Sequence, residues 1–263
     1  MMIQFNINRF GKLAKWSLTY DKRYYVKSFL QGFVIMLLGF LFFPMLTSSN
    51  DDHAGGYQMS CIMVVTIFAV TIVLGSSFMF YSMDNEHDRQ NLMMLPASNF
   101  EKYLMRYATW ILLIPLYLVG FFVADLLQYV FHWIQGWDDV VFVTSRLMEY
   151  ASRIWDQAPE DAKSIMINIL LVITIWFHSI YALGANFFRT RKHNWLLTTI
   201  VIILLNFVQA WILPLGDPTS YKETTTMDIV IGDVAAGLWI VLNFWLSYKL
   251  FCRTQVIGRF INL

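Results

Sequence analysis

The sequence predicts an all-α, polytopic integral membrane protein with six transmembrane helices, an N-terminal interfacial helix and both termini in the cytoplasm. Three observations predict it. The chain of 263 residues is 57% hydrophobic and only 14% charged, it contains six separate apolar runs of span length, and its cations gather in every second segment between those runs, on one side of the membrane. A soluble domain carries roughly a quarter charged residues, and here a mean hydropathy of +0.52 is spread over the whole length with 22 Phe, 14 Met, 13 Tyr and 10 Trp. The same figures exclude disordered, collagen-like and disulfide-rich chains. A net charge of +1 gives no reason to expect a nucleic-acid partner.

A hydrocarbon core of about 30 Å calls for about 20 apolar residues at a rise of about 1.5 Å each. The runs that satisfy this are 29–46, 61–83, 110–130, 165–184, 195–215 and 229–251. Backbone groups in lipid must bond internally, and runs this long and uniform do so as helices rather than barrel strands. The expected organisation is a single membrane domain over 1–263: an interfacial amphipathic helix in 1–28, a six-helix bundle over 29–251 with a cytoplasmic segment 84–106 and an external loop 131–164, and a cytoplasmic tail 252–263. No secretory signal peptide is expected, because the first 28 residues are charged and punctuated and the first apolar run has span length.

Orientation follows from the cations. Of the 19 Lys and Arg, 15 lie on the side that holds both termini, and only Arg146, Arg153, Lys163 and Lys222 lie opposite, among eleven acids. The near-neutral total is therefore a cancellation of +10 inside, −7 outside and −2 within the spans, from Asp125 and Asp233. Cys61 and Cys252 fall at opposite membrane faces, which excludes a bridge between them and leaves both as packing residues.

The N-terminal segment places Phe10, Leu13, Ala14 and Ser17 on one helical face beside Arg9, Lys12 and Lys15, with Trp16, Tyr20, Tyr24 and Tyr25 at headgroup level. It reads either as a topology anchor or as an elbow helix leading into the first span. The segment 84–106 is the most informative. Pro96 ends a helix that carries Leu92, Met93, Met94 and Leu95, and Ser98 and Glu101 have the spacing of a capping box that starts the next one. In the external loop, Val143, Leu147, Tyr150, Ala151 and Ile154 recur at helical spacing opposite Arg146, Glu149, Ser152 and Arg153, flanked by Trp133, Trp137 and Trp155. A lid over span ends, a gate and a docking site for an outer partner all fit that surface helix.

The stretch from Asn91 to Tyr103, Asn-Leu-Met-Met-Leu-Pro-Ala-Ser-Asn-Phe-Glu-Lys-Tyr, resembles the leucine-proline-small-serine and glutamate-lysine pattern that follows the second span in permease subunits of ABC-2-type ABC transporters. The resemblance implies an exporter subunit that forms a translocation path as a homodimer or heterodimer of permeases. Coupling to a separate ABC ATPase subunit would run through Leu92, Met93, Met94, Leu95, Pro96, Ser98 and Glu101. It also implies no cofactor of the chain's own, ATP being bound by the partner, and a place among the lipids of a bacterial cytoplasmic membrane. The alternative is a non-transporting scaffold or assembly protein that binds a partner through its external loop.

Catalytic patterns fail on inspection. Around Gly11-Lys12, Asn6 stands where a Walker A loop needs its first glycine and Leu13 where it needs a hydroxyl. The five histidines, His53, His87, His132, His178 and His193, form no i, i+4 zinc pair. Gly75-Ser76-Ser77 lacks the second glycine of a hydrolase elbow, Met79 taking its place. No metal site and no enzymatic activity are expected. The polar residues within spans are the remaining candidates for a path or for interhelix hydrogen bonds: Asp125 and Asp233 near the outer interface, and His178, Asn206, Gln209 and Asn243 deeper. Pro115 is expected to kink the third span.

Overall fold

The computed structural model describes residues 5–46, 53–81, 86–188, 193–212 and 226–253, apart from the side chains of 86, 89, 161, 209–212 and 226. Among these residues the chain forms ten α-helices, one 3₁₀ segment (Gly75–Phe80) and no strand: α1 Ile7–Tyr20, α2 Lys22–Leu46, α3 Ala54–Leu74, α4 Glu86–Met94, α5 Asn99–Ala108, α6 Leu113–Ile134, α7 Val143–Gln157, α8 Glu160–Phe187, α9 Asn194–Ile212 and α10 Thr226–Cys252. The protein is an all-helical, multi-pass membrane protein.

Five segments are long and apolar enough to cross a bilayer: Lys22–Leu46, Ala54–Phe80, Asn99–Ile134, Ala162–Phe187 and Met227–Cys252. The expected span 195–215 falls on α9, of which Asn194–Val208 is a shorter apolar stretch, and 213–215 lie outside the described residues. Large apolar side chains such as Leu170, Leu205, Phe207, Leu238 and Val241 are exposed on these helices, as expected where the surrounding solvent is lipid rather than water.

Two element boundaries differ from the sequence reading for clear reasons. The first span starts at Lys22 rather than 29, since nothing in Lys22 to Ser28 breaks a helix. The third is interrupted: α5 ends at Ala108, a turn follows, and α6 begins at Leu113. Pro115 therefore lies in the first turn of α6, where a missing N–H leaves no bond unmade and where its ring meets no preceding helical turn. The expected kink is replaced by a helix start.

The chain divides into two compact units. One contains residues 16–72 and 109–168, the other 1–15, 73–108 and 169–263. In the first unit α2 packs along α6, and Met36, Phe40, Tyr57, Cys61, Val64, Phe121, Ala124 and Val143 form its core. Phe40 and Phe121 meet edge to face with centroids 6.0 Å apart. Close helix approach depends on glycine: a Cβ on Gly32 would meet the Tyr117 ring, and one on Gly56, at the start of α3, would strike the backbone of Pro44.

In the second unit the interior is unusually polar. Arg106 is fully buried, with Nε donating to the Met79 carbonyl at 2.8 Å. Tyr103 donates to Ser247 at 3.1 Å, Ser247 to the Ala182 carbonyl at 2.8 Å, and Asn186 to Ser247 at 2.9 Å, so α5, α8 and α10 share one hydrogen-bonded seam. Each bond replaces an otherwise unsatisfied polar group in an apolar surrounding.

Candidate functional site

The densest set of buried ionisable groups in the first unit lies where α6 ends and α7 begins. Asp125, Gln128 and His132 occupy i, i+3 and i+7 on α6 and so share one helical face. Asp125 is 2% exposed, and Gln128 and His132 are fully buried. The Asp125 carboxylate accepts the backbone N–H of Val143 at 2.7 Å, the N–H of Thr144 at 3.0 Å and the Thr144 hydroxyl at 2.6 Å. These are first-turn donors of α7, which otherwise have no intrahelical partner and attract negative charge.

Gln128 links that carboxylate to an imidazole. Its Nε2 donates to Asp125 Oδ1 at 3.1 Å and to the Val141 carbonyl at 3.0 Å, which uses both amide hydrogens and turns Oε1 toward His132. His132 Nδ1 lies 3.1 Å from that oxygen and must be the donor, because an amide oxygen only accepts. His132 Nε2 faces the Leu41 carbonyl at 3.4 Å. Trp137 stacks on His132 at 4.1 Å and 6°, and on His53 at 3.7 Å and 17°, so one indole separates two imidazoles. His53 Nδ1 lies 3.0 Å from Asp139 Oδ1, and the Asp139 side chain is 40% exposed. The series Asp139, His53, Trp137, His132, Gln128, Asp125 thus runs from a half-exposed carboxylate to a buried one.

Sequence reasoning singled out Asp125 alone of these groups. The i, i+3, i+7 spacing of Asp125, Gln128 and His132 is a signal it could have used. The approach of His53 and Asp139, 86 positions apart, is a tertiary event that no local pattern encodes.

The other expected site residues are distributed as follows. Leu92 is buried and Met94 is 78% exposed; Leu95 and Pro96 lie in the turn after α4, and the Met93 carbonyl accepts from Lys102 Nζ at 2.7 Å. Ser98 and Glu101 close a capping box, with Ser98 N–H to Glu101 at 2.8 Å and Glu101 N–H to Ser98 Oγ at 3.3 Å. Glu101 also receives Arg9 Nε at 2.7 Å, Arg9 Nη2 at 2.9 Å and the Asn6 N–H at 2.8 Å, and its hydrogen bonds hold the half-exposed Arg9 guanidinium above its usual range.

His178 Nε2 lies 2.8 Å from the Tyr107 hydroxyl, and Asn243 donates to Ser179 at 3.0 Å, bringing α8 and α10 together. Asn206 is exposed and donates to Ile202 in its own helix at 2.8 Å. Asp233 is half-buried in α10, and the Gln209 side chain lies outside the described residues. Among the described residues no group of three His, Cys, Asp or Glu is placed to hold a metal ion.

Residues 26–132 match the family model described as bacteriorhodopsin-like protein. No curated protein and no solved structure matches the chain. The family match, which covers less than half of the chain, overturns the ABC-2 resemblance. The exporter function goes with it, as do the scaffold alternative and the ATPase partner on which a coupling role for Leu92 to Glu101 rested. The Leu-Pro-Ala-Ser pattern has a local cause instead: a proline turn followed by a capping box.

The expected lack of a cofactor is overturned as well, since bacteriorhodopsin-like proteins bind retinal. A chromophore of that kind needs a lysine amine in an apolar interior for its Schiff base. The matched segment offers Lys27, which is exposed at the start of α2, and Lys102, whose amine is committed to the Met93 carbonyl at 2.7 Å. Lys163 pairs with Glu160, and Lys249 is exposed near the end of α10, 5.5 Å over the Trp245 ring. The described lysines do not fit a covalently held retinal.

Proposed function

We propose that the chain is a proton-translocating protein of the bacterial cytoplasmic membrane, with α9 as a sixth crossing and both termini inside, and that it is a transport protein rather than an enzyme. The positive-inside count supports the orientation, and the likeness of residues 26–132 to bacteriorhodopsin-like proteins, whose family includes light-driven ion pumps, supports ion movement. The observation that carries the reading is the relay Asp125–Gln128–His132, buried within a membrane protein and ending near a half-exposed His53–Asp139 pair. Chains of Asp and His inside membranes mark proton paths.

The hydrogen-bond directions set the chemistry. Neutral His132 keeps its proton on Nδ1, bonded to Gln128, and its Nε2 lone pair is the free base. A proton taken at Nε2 gains the Leu41 carbonyl as acceptor, and the imidazolium charge is balanced through the Gln128 amide by Asp125. Trp137 would hold the cation against its ring face, and its position between the imidazoles makes it the barrier that a proton from His53 must pass.

The test uses the full chain in phosphatidylcholine vesicles with an entrapped pH-sensitive dye, a potassium–valinomycin clamp and an imposed pH step, in darkness and under illumination. The expected result is proton flux above that of empty vesicles, reduced to the empty-vesicle rate by His132→Gln and by Gln128→Leu. Wild-type flux no greater than that of empty vesicles in either condition would sink the reading, as would full flux through His132→Gln.

A further inference from the structure

A second feature of the first unit lies apart from the relay, at the start of α2. Lys22, Arg23, Val26, Lys27, Leu30 and Gln31 line an open groove of about 610 Å³ along that helix. They fall into two adjacent rows at i, i+4 and i+8, Lys22–Val26–Leu30 and Arg23–Lys27–Gln31, and so share one helical face. All six are exposed, and the apolar row continues through Val34 and Leu38, each close to half exposed. One face of α2 therefore carries three cations in its first two turns and an apolar lane beyond them.

The charge of this face is not compensated. Asp21 is the one acid among the first 50 residues; it is 2% exposed and accepts the Ser17 hydroxyl at 2.8 Å. Among the described residues the side chains of Lys22, Arg23 and Lys27 make no ion pair and no hydrogen bond, unlike Arg9, which Glu101 neutralises. Their height in the bilayer follows from the length of the span. Helix α2 ends at Leu46, and the about 20 residues needed to cross the hydrocarbon, counted back from there, reach Lys27. The three cations therefore stand in the headgroup layer, and the apolar lane faces acyl chains. Side chains on a helix lean toward its N-terminus, which carries the Arg23 and Lys27 heads away from the hydrocarbon while their stems cover it.

We propose that this face of α2 holds one anionic phospholipid, its phosphate between Arg23 and Lys27 with Lys22 beside them, and one acyl chain along Val26, Leu30, Val34 and Leu38. Arg23 and Lys27 stand one helical turn apart, which lets a single phosphate meet both, and the guanidinium supplies a two-pronged donor. A zwitterionic lipid offers the same chain, but its own ammonium opposes the three cations. The site requires only that α2 crosses the membrane and shares no residue with the relay, so either can fail without the other.

Native mass spectrometry of the full chain, delipidated in detergent and titrated with phosphatidylglycerol or phosphatidylcholine of identical chains, tests this on the first lipid adduct. One cation near an anionic lipid surface contributes about fivefold in affinity, about 1 kcal/mol, so two cations on one phosphate are expected to favour phosphatidylglycerol about 25-fold. Arg23→Gln combined with Lys27→Gln should bring that preference down to about fivefold or less, the share of the remaining Lys22. Lys12→Gln combined with Lys15→Gln, which removes two exposed cations of α1 outside the groove, should leave it unchanged. Equal binding of both lipids by wild type overturns the proposal. So does an equal loss of preference in the two double variants, which would mark a diffuse field rather than a site, or displacement of the lipid by inorganic phosphate alone, which would mark an anion site that needs no acyl chain.

Discussion

The carboxylate of Asp125 accepts the backbone N–H of Val143 at 2.7 Å across 18 positions of sequence, so the acid that caps α7 is carried by α6. An N-cap normally comes from the residue just before the helix, but Phe142 has no polar side chain to offer. The acid that caps α7 is therefore also the acid at one end of the hydrogen-bonded series through Gln128 to His132.

This double role separates two substitutions. Asp125→Ala leaves the amides of Val143 and Thr144, the Thr144 hydroxyl and the Gln128 amide short of an acceptor, and is expected to cost about 2–4 kcal/mol with faster hydrogen exchange in the first turn of α7. Asp125→Asn keeps one acceptor oxygen and the side-chain shape, and should cost less. Thr144→Ala removes one of these bonds and is expected to lose about 1 kcal/mol. Exchange rates across residues 143–157, compared with those of α8, make the measurement.

Glu101 predicts a similar ordering in the second unit. The carboxylate serves the capping box, the Asn6 amide and both nitrogens of a bidentate Arg9 pair, so Glu101→Ala unties α1 from α5 and removes a cap worth about 1 kcal/mol. Arg9→Lys keeps the charge but loses the fork geometry. Limited proteolysis at the N-terminus should accelerate in the order wild type, Arg9→Lys, Arg9→Ala, Glu101→Ala. Equal rates for Glu101→Ala and wild type would show that α1 is held by apolar contacts alone.

Helices α8 and α9 meet at Gly184, where an added Cβ would run into the Thr198 side chain. Thr198 is itself fixed by its bond to the Asn194 carbonyl at 2.9 Å, so it cannot swing clear without cost. Gly184→Ala is expected to destabilise the unit by about 1–3 kcal/mol, despite the gain in helix propensity. Thr198→Ala in the same chain should recover part of the loss, which a thermal melt of the single and double variants will measure.

Much of this architecture was legible in the residues. Apolar run length located the long helices, and Ser98 with Glu101 announced a cap that closes at hydrogen-bond distance. The amphipathic register of Val143, Leu147 and Ile154 gave α7. What could not be read is what tertiary contact decides. Pro115 has the same sequence context whether it kinks a helix or begins one, and only the turn before Leu113 distinguishes them. The role of His53 has no local signal because its partners, Asp139 and Trp137, lie more than 80 positions away. The Leu-Pro-Ala-Ser stretch misled for a physical reason: a proline stop followed by a capping box solves a helix–helix junction in any protein, so its presence carries less information about kinship than its length suggests.

The lysine positions make the relation to bacteriorhodopsin-like proteins testable by spectroscopy. A retinal aldehyde condenses with an unprotonated amine, and the imine must then sit in an apolar interior with a counter-ion to give a shifted band. Lys102 is the one buried lysine among the described residues, and its amine is spent on the Met93 carbonyl at 2.7 Å, beside Glu101, which Arg9 already neutralises. All-trans retinal added to membranes holding the full chain is expected to keep the absorption of the free aldehyde, and borohydride treatment should leave no reduced adduct on any lysine peptide. A red-shifted band together with an adduct on Lys102 would overturn this reading and place a chromophore at the α4–α5 junction. The Lys102→Met variant, which keeps the side-chain length and removes the amine, would then have to abolish both signals.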